Sequence, residues 1–291
     1  MTTVNARGMS GKAGGSGSAG SSASGSPADG FAAIVGKAIK DRTQVVGAAS
    51  FYMLLIGALL GLLWPPLRDV FRSMPKAMND LVAAISGGTN LSTPEGWADA
   101  ELLSLLAPAA AIVVAVMSAA AASAGEEEDK TLGLALSVPI GRGTFLFAKA
   151  VAMVVLDLIV AVCIGIGLEI GNVIGNLGFT AAGMIGAAAH ALLLGLVLGG
   201  LALLVGSATG SKRAATVSAT LVAVIAFAMN TFLPLSTSLA PVARYSPWYY
   251  YLQSNPLANG ADGAHLALLG GIAAVLIASA VLVFRRRDLR G

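Results

Sequence analysis

Stretches of uninterrupted apolar residues recur along this chain, separated by short polar segments, and their length sets the first expectation. A helix rising 1.5 Å per residue needs roughly 20 apolar residues to cross a hydrocarbon core about 30 Å thick. Six stretches meet that length, at Thr43–Trp64, Leu102–Ala122, Phe145–Ile170, Ala181–Val205, Ala214–Leu235 and His265–Phe284. Each is bounded by Gly, Asn, Pro or charged residues. A helix in a soluble core would be shorter and striped, so the pattern predicts an all-α integral membrane protein with six transmembrane helices.

The polar positions refine this outline. Phe31, Ile34, Val35, Ala38 and Ile39 fall at helical spacing opposite Lys37, Lys40, Asp41 and Arg42, which predicts a short N-terminal interfacial helix. Pro65-Pro66 is expected to end the first span, with Trp64 in the headgroup layer. Leu67–Ala100 reads as a loop with a surface helix and a turn at Gly87-Gly88. Ser92-Thr93-Pro94-Glu95 then supplies an N-cap, a proline at the first helical position and an acid in the first turn.

Composition agrees with a lipid-facing surface: 56% of residues are hydrophobic and only 11% charged, with a mean hydropathy of +0.80. A soluble domain of this length could not bury so much apolar surface. Residues 1–30 lack the apolar core of a cleavable signal and read as a disordered Gly/Ser-rich tail, leaving 31–291 as one transmembrane domain. One cysteine, Cys163, supports neither a disulfide framework nor a Cys/His metal cluster.

Charge gives the orientation. With both ends inside, the cytoplasmic segments hold Arg7, Lys12, Lys37, Lys40, Arg42, Lys130, Arg142, Lys149, Lys212, Arg213, Arg285, Arg286, Arg287 and Arg290. The external segments hold Arg68, Arg72, Lys76 and Arg244, so 14 of 18 basic residues lie inside. The positive-inside rule therefore places both termini in the cytoplasm. The basic, lysine-poor, Ala/Gly-rich composition suits a bacterial inner membrane.

Polar residues within the spans are candidates for a transport path. Asp157 lies in the third span, where a lone carboxylate costs several kcal/mol unless paired, protonated or hydrated. It is either a gating or proton-linked site, with His190 at similar depth in the fourth span, or a carboxylate satisfied by neighbouring hydroxyls. Asn230 in the fifth span either lines a path or bonds across helices. Gly57/Gly61 and Gly195/Gly199 have the GxxxG spacing of close helix packing. Pro247, Trp248, Tyr249, Tyr250 and Tyr251 read as an aromatic belt at the outer interface.

One polar segment is more specific. Gly125-Glu126-Glu127-Glu128-Asp129-Lys130-Thr131-Leu132, continuing through Ser137-Val138-Pro139 to Arg142 and Lys149, resembles the first cytoplasmic loop of ABC-2-type transporter permeases. Tyr245-Ser246-Pro247-Trp248, Asn255-Pro256-Leu257 and the Phe284–Leu289 ending extend the resemblance over most of residues 31–291. It implies that Glu126, Glu127, Glu128, Asp129, Lys130, Thr131, Leu132, Ser137, Pro139 and Arg142 belong to a coupling helix that docks on a separate ATPase subunit. Independently, four consecutive acids suit the positive N-terminal end of a helix.

The resemblance further implies a re-entrant external element between spans five and six, capping a path between two permease copies. It implies two copies of the ATPase, with ATP and Mg bound there and no cofactor in this chain. The second permease is either an identical copy or a related one, and the expected surroundings are lipid, with no nucleic acid. No Walker A loop is present: Gly206-Ser207-Ala208-Thr209-Gly210-Ser211-Lys212-Arg213 fails both its spacing and its last residue. The alternative is an ion-coupled carrier or channel built on Asp157 and His190. Two histidines and one cysteine leave little material for an intramembrane enzyme.

Overall fold

The computed structural model describes residues 27–75, 78, 90–125 and 141–287, and every regular element among them is helical. Six helices are long and apolar enough to cross a membrane. They are span one, Thr43–Ser73; span two, within Pro94–Gly125; span three, Arg142–Gly175; span four, Ala181–Thr209; span five, Lys212–Phe232; and span six, Gly263–Arg286. An amphipathic helix, Pro27–Lys40, precedes them and packs on span three. It includes residues 27–30, which the composition assigned to the tail. The bundle end holding the starts of spans one, three and five is called here the N/C face; the other is the distal face.

Local signals explain the helix boundaries. Thr93 Oγ1 accepts from the Gly96 amide at 3.2 Å, so the expected N-cap of the second span is present. Thr180 and Ser211 cap spans four and five in the same way. Span three ends at Asn176 and span four at Gly210, both in the left-handed region, where φ is 48° and 69°.

Two expectations about span one need correcting. Pro65 and Pro66 do not end it, because the helix continues through them to Ser73 and takes in the first residues of the stretch expected to form a surface helix. Each proline withdraws a single backbone donor, from the carbonyls of Gly61 and Leu62, and the α-helical ladder resumes on either side. Trp64 does not sit among headgroups either; it is packed within the bundle at 2% exposure. Span two is less regular than expected, since π turns at Asp99–Leu103 and Ala121–Gly125 flank its α-helical part, Leu106–Ala120.

Span four is the central post, touching spans two, three, five and six. Its most apolar window is 67% buried, against 11% for span five and 17% for span six. Small residues allow the closest approaches. Gly57 and Gly61 of span one lie against Gly167, Gly171 and Gly175 of span three, where an added methyl would enter the facing backbone. At Gly175 that methyl would stand 2.6 Å from the Gly61 carbonyl oxygen. The GxxxG pair of span one thus meets a second, longer glycine row.

A bulky side chain at Gly171 should separate spans one and three. Gly171→Val is expected to destabilise the detergent-solubilised protein by ~3 kcal/mol, the upper range for overpacking. Gly47→Ala, where nothing lies within 4 Å of the added carbon, should leave the thermal midpoint unchanged or raised.

Candidate functional site

Between spans five and six the chain does not cross the bundle again but breaks into short turns. These are Leu233–Leu235, Ala240–Tyr245, Pro247–Leu252 and Pro256–Asn259. Prolines punctuate them: Pro247 and Pro256 each open a helix whose preceding residue, Ser246 or Asn255, caps it with a side-chain oxygen. Ser246 does more than cap. Its hydroxyl donates to the Ala226 carbonyl of span five at 2.7 Å and accepts from the Trp248 amide at 3.1 Å.

The aromatic cluster faces inward rather than forming the expected belt. Trp248 is 3% exposed and Tyr251 fully buried, while Tyr249 and Tyr250 are half-buried. Trp248 packs on Phe227 of span five at 5.3 Å between ring centroids. The Tyr251 hydroxyl donates to the Leu103 carbonyl at 2.7 Å, where span two changes from π to α geometry. A phenol thus serves a carbonyl at the irregular point of a membrane helix, where internal partners are scarce. Burial also pushes the Tyr251 phenol above its ordinary range.

The cap also gathers both histidines. His190 of span four and His265 of span six stand 6.5 Å apart, and Tyr250 meets His265 at 5.2 Å. Nδ1 of His190 donates to the Gly186 carbonyl at 2.8 Å, while its Nε2 is buried without a hydrogen-bond partner. Asp262 caps span six by accepting from the Ala264 and His265 amides at 2.9 and 3.0 Å. The His265 amide foremost, then the His265 ring and the Ala264 amide, outweigh burial and hold the Asp262 carboxyl below its ordinary value. The sequence offers one signal for this group, the Asp262-x-x-His265 capping spacing, whereas the apolar pattern marks His265 only as a span boundary.

The expected partnership of Asp157 with His190 is not formed. Both carboxylate oxygens of Asp157 are buried without a hydrogen bond, so neighbouring hydroxyls do not satisfy it either. Its carboxylate rests instead beside Gly195, whose added methyl would lie 2.5 Å from Oδ2. Gly195 is five residues beyond His190 on span four, about 7.5 Å along the axis. Asn230 is half-buried in span five.

At the N/C face, Arg142 donates to the Arg287 carbonyl at 3.5 Å and Arg287 to the Ser207 carbonyl at 3.3 Å. Spans three, four and six are therefore tied at that end. Arg142 is the one described member of the expected coupling element; Glu126, Glu127, Glu128, Asp129, Lys130, Thr131, Leu132, Ser137 and Pro139 lie outside the described residues.

Six membrane-length helices, four of them packed on span four and span one joined to it through span three, with a broken inward-facing cap, define a multi-pass membrane protein. Residues 22–289 match the family model described as ABC-2 family transporter protein, so the chain belongs to that family. It is accordingly a membrane component of an ABC transporter, in a family that works with an ABC ATPase. Among curated proteins and solved structures, none matches the chain.

Tyr251→Phe should cost about 1 kcal/mol at neutral pH through the lost bond to Leu103. Because the folded phenol titrates above its ordinary value of 10.0, its contribution is complete below that pH and declines as pH rises past it. Thermal melts at increasing pH should therefore show the wild-type advantage over Tyr251→Phe shrinking above pH 10.0.

Proposed function

We propose that this chain is the permease half of an ATP-driven exporter, working as a pair of permeases with two copies of a separate ATPase subunit that binds ATP and Mg. The family match carries this reading, because it spans the acidic stretch between spans two and three as well as the whole bundle. In this reading Glu126–Arg142 receives the ATPase stroke. The N/C face, with its Arg142, Arg285, Arg286 and Arg287, is cytoplasmic, and the membrane is a bacterial inner membrane.

The distal cap then closes the external end of a path between two permeases. Support for a second copy comes from the thin coverage of spans five and six, whose apolar faces need lipid or protein against them. An identical copy is the simplest partner. Asp157, His190 and Asn230 are candidates for the path. The separation of Asp157 from His190 weighs against an ion-coupled pair.

The test is co-purification in mild detergent with the cognate ATPase. The wild-type complex is expected to hydrolyse ATP. Glu126→Ala, Glu127→Ala and Glu128→Ala combined should lose both the partner and hydrolysis while keeping the wild-type melting profile. A wild type that retains no ATPase overturns the reading.

A further inference from the structure

A cleft of about 660 Å³ opens at the N/C face between the Pro27–Lys40 helix, the end of span two and span three. Its lining changes character with depth. Phe145, Lys149, Met153 and Leu156 follow one another at helical spacing along one face of span three, so the wall runs from aromatic and cationic to purely apolar over about 16 Å. Ile34 of the N-terminal helix adds to the apolar part.

The basic groups are placed around the outer half. Lys149 is only 9% exposed, and its Nζ lies 4.8 Å from the centre of the Phe145 ring, so its ammonium is held within the wall rather than waving in solvent. Lys212 reaches over the end of span two, where its Cε would stand 3.4 Å from a methyl added at Gly125. Lys37 and Arg42 complete four cations among the described lining residues, against the carboxylates of Asp29 and Asp41.

A small soluble anion has no use for the apolar inner half, and an uncharged apolar solute has none for the cations. An amphiphile with an anionic head matches both halves in the right order, head toward the membrane surface and chain toward its middle. The bilayer itself supplies such molecules, and basic pockets between membrane helices are suited to their headgroups.

We infer that this cleft binds one anionic phospholipid, with its phosphate among Lys37, Lys149 and Lys212 and an acyl chain along Ile34, Met153 and Leu156. The bound lipid acts as a wedge that fastens the N-terminal helix to span three. This does not depend on the transport reading, since it concerns the resting bundle alone.

The experiment uses the full chain, delipidated in mild detergent, with native mass spectrometry to count bound lipid and thermal melting to follow its effect. Probes are phosphatidylglycerol, phosphatidylcholine and inorganic phosphate. Phosphatidylglycerol is expected to remain as a single adduct and raise the melting temperature, with phosphatidylcholine and inorganic phosphate raising it little. Lys37→Gln combined with Lys212→Gln, both outside the buried core, should weaken phosphatidylglycerol retention about 30-fold, as expected for two basic groups beside an anionic headgroup. Lys149→Gln should weaken it as well. The inference is overturned if phosphatidylcholine matches phosphatidylglycerol, if inorganic phosphate alone reproduces the shift, or if the double variant retains the lipid like wild type.

Discussion

Two helices in a bilayer gain little by hiding leucine from leucine, because the lipid tails already offer the same surroundings. Association has to come from close packing and from polar bonds that lipid cannot supply. The glycine seam between spans one and three answers the first requirement: Gly57 and Gly61 meet Gly167, Gly171 and Gly175 with backbone against backbone. Span four meets the second span through Gly195 and Gly199, which accommodate Ala111 and Ala115. The layout of the bundle follows from where side chains are missing.

Polar bonds then fasten the helices and the cap to one another. The π-to-α change in span two receives Tyr251, the proline-bearing half of span one receives the Trp97 indole on the Leu60 carbonyl at 3.2 Å, and span five receives Ser246 on Ala226. In hydrocarbon a backbone carbonyl without a partner is expensive, so at Leu103 the Tyr251 hydroxyl lets irregular backbone persist, while the Trp97 indole and the Ser246 hydroxyl add second donors to carbonyls of helical backbone. They also make the distal cap an integral part of the bundle, joined by hydrogen bonds to spans two and five and by its aromatic rings to His265 of span six.

The six spans were legible because a bilayer demands long apolar helices whatever else the protein does, and the cap at Thr93 marked the start of the second locally. What was not legible depended on distant partners. Consecutive prolines ordinarily stop a helix, yet span one continues through them to Ser73, with Phe71 packed on Trp97 of the second span. Trp64, Trp248 and Tyr251 have the composition of an interfacial belt, yet all three turn inward because cavities formed by other spans receive them. The spacing of Gly57 and Gly61 suggested close packing but could not name the glycines opposite. Of the candidate site, Asp157 and His190 were visible as unusual residues within apolar runs. That one rests on Gly195 while the other faces His265 is a property of helix rotation, which a single chain of letters does not specify.

The seam of span one has a mechanical consequence. Interdigitated side chains lock two helices in register like gear teeth, whereas facing glycines form a surface with no teeth. Span one therefore meets span three along a seam without side-chain teeth, and its register is held where Met53, Leu60 and Trp64 are buried in the bundle and where the Trp97 indole grips the Leu60 carbonyl. The seam sets how near the two helices stand, and those buried anchors set how far along one another they lie.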